Sequence, residues 1–201
     1  MQETLHYSEQ NGAILVQIAR RSLESFVRDK QHYQPNLDEL PVQLRESGAS
    51  FVTLTGHGQL RGCIGNTQAR WPLAQDVARN AVSAASRDPR FMPVTAVELA
   101  DIRLEVTILT PPLPLAYAHF DDLCAKLHPN IDGVMLTWQE RRGLLLPQVW
   151  QRITQPEQFL KAIAYKADIP YRYLWQRPPS IQVHTFQVQH FQEDGYQEPG
   201  A

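Results

Sequence analysis

The sequence predicts an α+β fold, a mostly antiparallel mixed sheet with helices packed on it, and three observations lead there. Two stretches read as β-hairpins, the first around Gly56-His57-Gly58 and the second around Gln139-Glu140-Arg141-Arg142. Residues 102–108 set Ile102, Leu104, Val106 and Ile108 against Arg103, Glu105 and Thr107, the alternation of a half-buried strand. Helical stretches fall between these strands without the regular βαβ rhythm of a doubly wound sheet.

Each element has its own signal. Ser8 is a plausible N-cap, and Ile14, Leu15, Ile18, Ala19, Leu23 and Phe26 recur behind it at helical spacing, so residues 9–28 read as an amphipathic helix. Residues 50–55 and 59–64 flank the glycine turn as strands. Strict two-residue alternation puts Arg61 and Cys63 on one face of the second strand and Leu60 and Ile64 on the core face. Pro72 opens a helix whose apolar stripe is mostly alanine and valine, and Asp88-Pro89 stops it. Thr110-Pro111-Pro112-Leu113-Pro114 forms a stiff connection. Residues 121–127 read as a short helix, and residues 134–138 and 143–146 as the second hairpin, with Arg141-Arg142 at a solvated tip and Gly143 in the turn. Pro156 opens a helix with Phe159, Leu160, Ile163 and Ala164 inward, and residues 171–175 suggest one more turn. Residues 181–191 read as one final strand. The polar tail, residues 192–201, is expected to fray.

The chain's 201 residues suit one good-sized domain or two small lobes, and no composition shift marks a linker. Formal net charge is −2, which argues against a duplex-DNA or anionic-membrane protein. No stretch approaches the ~18 apolar residues of a membrane span. Residues 1–8 lack an apolar leader core, and Cys63 and Cys124 fit no disulfide scaffold, so a cytoplasmic location is expected.

The densest chemistry lies in Leu60-Arg61-Gly62-Cys63-Ile64-Gly65, where a thiol, a guanidinium and two glycines share six residues. Cys63 is the candidate catalytic group, because a nearby cation shifts a thiol from its free pKa of about 8.5 toward the reactive thiolate. Glycines let a ligand approach the backbone. A base would also be needed. His57, His119, His128 and His184 are candidates, but sequence brings none of them to Cys63, so a structural or contacting role is preferred. Arg61 either binds an anion or pairs with Glu105, and both readings stand. Asp88-Pro89-Arg90-Phe91 is read first as a helix stop, with Arg90 able to reach the hexapeptide and complete a two-arginine anion site. Candidate ligand-binding residues are therefore Leu60, Arg61, Gly62, Ile64, Gly65, Arg90 and Glu105. Cys124 and His128, with His119 nearby, make only half a metal site, so no metal or other cofactor is expected. No phosphate loop or dinucleotide fingerprint is present. The four tryptophans are assigned mostly to core packing.

The hexapeptide has ordered companions: Phe51-Val52-Thr53-Leu54 before it, then Asn80-Ala81, Asp88-Pro89-Arg90-Phe91, Leu104-Glu105-Val106, Leu109-Thr110-Pro111-Pro112 and Arg142-Gly143-Leu144-Leu145-Leu146-Pro147-Gln148-Val149. Together they resemble the AMMECR family, called AmmA or AmmeMemoRadiSam system protein A in bacteria, over about residues 13–191. The resemblance implies a single AMMECR-type domain over residues 1–201, with a larger lobe from both chain ends and a smaller lobe between. It implies no settled reaction. It points to the hexapeptide, Leu60 to Gly65, as an active or binding site, and to a Memo-like protein and a radical-SAM protein as partners; the arginines and glycines themselves suggest that a ligand there would be small and anionic. Many relatives carry His and Cys in the late helix where this chain has Ala162 and Ala164, so no second thiol or imidazole is implied there. Three activities remain: a small-ligand or enzyme site, an interaction module and, more weakly, RNA binding.

Overall fold

The computed structural model describes residues 6–178 and 180–199. Residues 1–5, in the stretch expected to lack an apolar leader core, and residues 200–201 of the tail expected to fray lie outside that range. In chain order the elements are α1 (Glu9–Asp29), α2 (Val42–Arg45), β1 (Ser47–Gly56), β2 (Gln59–Gly65), β3 (Trp71–Pro72), α3 (Leu73–Ser86), β4 (Ile102–Leu109), β5 (Leu113–Pro114), α4 (Phe120–Lys126), β6 (Gly133–Trp138), β7 (Arg141–Leu145), α5 (Pro156–Lys166), α6 (Tyr173–Gln176), β8 (Ile181–Phe186) and β9 (Val188–Gln192). The fold is α+β, and its paired strands are antiparallel. The chain divides into two compact units, one running to Leu109 and resuming at Gln189, the other spanning Thr110–Val188. That division matches the expected larger lobe from both chain ends with a smaller lobe between.

In the larger unit α1 forms where its sequence signal begins. The Ser8 hydroxyl accepts from Asn11 N at 3.2 Å, satisfying one of the helix's orphan donors. Leu15, Ile18, Ala19 and Leu23 are buried toward the core. Each such side chain contributes roughly 1.5–3 kcal/mol when taken fully out of water. The sheet runs β2-β1-β4-β9, with β3 paired to the start of β1. β4 is central and buried along its whole length except Arg103, which is half-buried. The alternation of residues 102–108 therefore reports which face each side chain takes, not a face left to water. Glu105 and Thr107, on the polar side of that alternation, are buried.

In the smaller unit the sheet order is β5-β8-β6-β7. Phe159, Leu160, Ile163 and Ala164 of α5 join Val134, Leu136 and Val183 in its core. Trp150 stacks on Phe159 at 3.8 Å between ring centroids and donates its indole N–H to Asp132 O at 2.7 Å. Arg141 and Arg142 lie in β7, so the tip is Gln139-Glu140, with Gln139 at φ 56°. Gly143 does not make the turn. A Cβ there would lie 2.6 Å from Ala167 Cβ, so its bareness lets the end of α5 close on β7. Arg141 pairs with Asp168 at 3.0 Å instead of standing free at a tip.

The expected single strand over residues 181–191 is two strands in two sheets. β8 belongs to the smaller unit and β9 to the larger unit's sheet, with a break at Gln187 whose N–H bonds Thr110 Oγ1 at 2.8 Å. Gln192, expected in the tail, ends β9. Glu193 follows it in a salt bridge to Arg20 and donates its N–H to Leu104 O at 3.0 Å.

Candidate functional site

The hairpin that carries the hexapeptide is built by its turn. His57 and Gly58 take φ of 51° and 73°, both left-handed, the geometry of a two-residue turn whose twist matches the strands. Register on β2 is then interrupted. Leu54 faces Gly62 and Thr55 faces Leu60, leaving Arg61 as the extra residue of a β-bulge. The bulge breaks the strict alternation expected of the strand and sends the residues of the segment in separate directions.

Gly62 faces α3. A Cβ there would stand 2.2 Å from the Ala84 carbonyl oxygen, so glycine is required for the helix to lie this close. Ile64 packs on the core, as the alternation requires. Leu60, beyond the bulge, is only half-buried and sits opposite Thr55. Gly65 crosses the Phe51 ring, where a Cβ would come within 2.3 Å of Cγ.

Arg61 turns away from the thiol and from Glu105. Its Nε donates to Glu98 Oε1 at 2.7 Å and its Nη1 to Met92 O at 2.8 Å. Glu98 also accepts from Thr95 N and Oγ1, each at 2.8 Å. The Arg61 guanidinium, with the Thr95 donors, draws the Glu98 carboxyl down to about 2. Of the two readings left open for Arg61, the pairing with Glu105 does not form, because its guanidinium is held by Glu98 and Met92 O.

Arg90 is the cation near Cys63. Its Nε and Nη2 clamp both oxygens of Asp88 at 2.9 and 2.6 Å, and Asp88 Oδ2 accepts the Cys63 N–H at 2.8 Å. Asp88-Pro89-Arg90-Phe91 thus does more than stop α3. It occupies the otherwise unpaired edge of β2. The fork from Arg90 holds the Asp88 carboxyl well below the usual carboxylate range. Arg61 and Arg90 both stand over Phe91, their Cζ atoms 5.9 and 5.4 Å from the ring centroid. The sequence anticipated two arginines here. Each of them already holds a carboxylate.

Across the ladder from Cys63 is Thr53, and across from Thr53 is Glu105. Thr53 Oγ1 donates to Cys63 Sγ at 3.3 Å. Glu105, 6% exposed, takes Thr107 Oγ1 at 3.1 Å and Gln192 Nε2 at 2.7 Å, and its Oε1 lies 3.2 Å from His190 Nδ1. Burial pushes the Glu105 carboxyl up, but the bonds from His190, Gln192 and Thr107 outweigh it, and the net shift is downward. Burial pushes the Cys63 thiol up. The Thr53 hydroxyl and Arg90 oppose that rise, and the Asp88 and Glu105 charges add to it. At neutral pH the face therefore carries an ionised carboxylate and a protonated thiol. Tyr196 of the tail belongs to the same surroundings. Its phenol is raised first by burial and then by the charges of Glu105, Glu198 and Cys63.

The candidate bases distribute otherwise. His57 Nε2 lies 3.7 Å from Asp101 on the hairpin turn. His119 caps α4 by accepting from Asp122 N at 3.1 Å, and His128 lies past the end of α4 with Nδ1 2.9 Å from Asp132 Oδ2. Cys124 and His128 therefore do not share one helix. Among the described residues no group of three or more His, Cys, Asp or Glu side chains gathers as a metal would need. His190 is the imidazole that sequence reasoning missed. Its signal lies in the break at Gln187, which starts a new strand and sets His190 beside Gln192 on alternate positions of β9.

Comparison with known proteins agrees over nearly the whole chain. A model of the AMMECR1 family matches residues 16–191. The chain is 39% identical to a protein of Methanothermobacter thermautotrophicus, covering 94% of this chain and 97% of that one. It is 36% identical to a protein of Thermofilum pendens, with 92% and 91% covered. The crystal structure of the uncharacterized protein PH0010 from Pyrococcus horikoshii superposes with a TM-score of 0.80 at 30% identity, covering 93% of each chain.

Proposed function

The chain belongs to the AMMECR1 family, and on that premise we propose that it carries a small-ligand or enzyme-like site on the sheet face that holds Cys63 and Glu105, with Arg90 at its rim. One observation supports this reading above the others. An ionised Glu105 is buried in the central strand, on the same face as the thiol. A buried charge is costly, on the order of several kcal/mol before its partners are counted, and an apolar side chain would suit a central strand better. Groups arranged against stability in this way are candidates for chemistry.

The roles follow from the charges. Cys63 meets the ligand as a neutral thiol and contacts it, or loses its proton only after an arriving group offsets Glu105. Glu105, oriented by His190 and Gln192, is the proton acceptor on this face. Arg90 offers the anion contact, because it is half exposed and reaches Cys63 O at 3.5 Å. Arg61 is occupied by Glu98 and secures the bulge. The experiment is a thermal-shift screen of the full chain against nucleotides and modified amino acids. A ligand whose shift disappears in Glu105→Gln and Arg90→Ala but persists in Arg61→Ala supports the site. A shift lost only in Arg61→Ala contradicts it.

A second reading, the interaction module working with a Memo-like and a radical-SAM protein, is favoured by the rim around Arg61. Met92 is 81% exposed and Val97 84% exposed on the loop that Arg61 pins. Co-purification of those partners with wild type, lost in a Met92→Ser, Val97→Ser double variant, supports it. Unchanged co-purification removes this rim from consideration.

A further inference from the structure

Building on the ligand site proposed above, we infer that residues 193–199 strap it shut, and that Tyr196 is the side chain a ligand must displace to reach Cys63 and Glu105. α1 and α3 pack on the other, apolar face of this sheet, against Val52, Leu54, Leu104 and Val106. The polar face presents Thr53 and Thr55 of β1 beside Glu105 and Arg103 of β4, in register. Residues after β9 cross that face at its hairpin end.

The path of the strap is marked at three points. Glu193 is anchored by Arg20, and its carboxylate accepts the Leu104 N–H at 3.0 Å. Asp194-Gly195 then turns the chain, with Tyr196 N–H donating to Glu193 O at 3.0 Å and Gly195 at φ 77°, which this position of a tight turn reserves for glycine. Gly195 passes Arg103 of β4, whose Nε would lie 3.6 Å from a Cβ added there. Gln197 reaches the β1–β2 turn, its Oε1 2.7 Å from where a Cβ on Gly58 would stand. Tyr196, between these two contacts, is carried over the end of β1, where Thr55 is only 2% exposed.

The strap is built to open. Tyr196 is half-buried, while Asp194, Gly195, Gln197 and Glu198 around it are exposed. Beyond the turn bond at Tyr196 N–H, no backbone hydrogen bond holds residues 196–199 among the described residues, whereas β9 before them is paired to β4. Segments with so few buried contacts and backbone bonds open far below the cost of global unfolding. Burial first, and then the charges of Glu105, Glu198 and Cys63, raise the Tyr196 phenol, in keeping with a ring seated at the site. A ligand that binds only the open form has its affinity reduced by the fraction of the chain that is open, so the strap sets how readily the face is reached.

The test is the reaction of Cys63 at pH 8, in a Cys124→Ser background, with iodoacetamide and with a polyethylene-glycol maleimide. Both reagents attack through the thiolate, so the ratio of their rates cancels the ionised fraction and reads steric access. Tyr196→Ala and a chain shortened to end at Gly195 should each raise the bulky-to-small ratio about tenfold, with rates that do not change in low urea. A ratio equal to wild type in both variants overturns the strap. So do rates that climb with urea along the slope of global unfolding, which would mean that the variants expose Cys63 by unfolding. No ligand enters this measurement. An unchanged ratio therefore removes the strap and leaves the thermal-shift reading standing, whereas a raised ratio with no ligand found in that screen removes the site reading and leaves the strap.

Discussion

Thr53 donates its hydroxyl to Cys63 Sγ across the β1–β2 ladder at 3.3 Å, and the same Thr53 faces Glu105 on β4. This arrangement partly offsets the rise that burial imposes on the thiol. Thr53→Val keeps the shape and removes the donor. It should raise the thiol pKa further, slow alkylation at pH 8, and cost no more than ~1 kcal/mol of stability in urea. An unchanged alkylation rate would mean the bond does not tune the thiol.

Gly62→Ala tests the close approach of α3 to β2. The added methyl would meet a main-chain carbonyl, Ala84 O, at 2.2 Å, and no side-chain rotation relieves that clash. Overpacking of this kind costs about 1–3 kcal/mol. The urea midpoint should fall accordingly with an unchanged slope. A midpoint within error of wild type would show that the helix moves away freely, leaving the glycine to be explained by ligand approach.

Acid sensitivity follows from the two carboxylates held by arginines. Glu98 is depressed from 4.5 to about 2, and Asp88 is depressed further in the same direction. A depressed carboxylate stabilises the fold above its unfolded pKa, and that stability is lost as pH falls through the folded value. Stability should therefore decline between about pH 4.5 and pH 2. Asp76, raised by burial despite bonds from Ser50, Asn66 and Asn80, works in the opposite sense and flattens the decline. Glu98→Gln should show a shallower loss than wild type over this window in chemical denaturation at stepped pH. An identical slope would remove Glu98 from the account.

Much of this organisation was legible in the residues. Ser8 and the spacing of Leu15, Ile18 and Leu23 mark α1, and Gly56-His57-Gly58 marks the hairpin. Arg61 was misplaced because Leu60 to Gly65 fits a period of two, and a bulge leaves no trace in hydrophobic pattern alone. The burial of Glu105 was hidden for a related reason. A polar residue in an alternating strand signals a face, and only the sheet order says that β4 is central, with His190 and Gln192 bound to that carboxylate. His190 itself was lost in a run of β-formers that turns out to be two strands in two sheets.

The central claim is a protonated Cys63 governed by Glu105 and Arg90 and indifferent to Arg61. The direct measurement is the alkylation rate of Cys63 against pH in a Cys124→Ser background. The account predicts an apparent pKa above the ~8.5 of a free thiol, lowered in Glu105→Gln, raised in Arg90→Ala and unmoved in Arg61→Ala. An apparent pKa well below ~8.5 that is lost in Arg61→Ala would contradict it and restore a thiolate activated by Arg61.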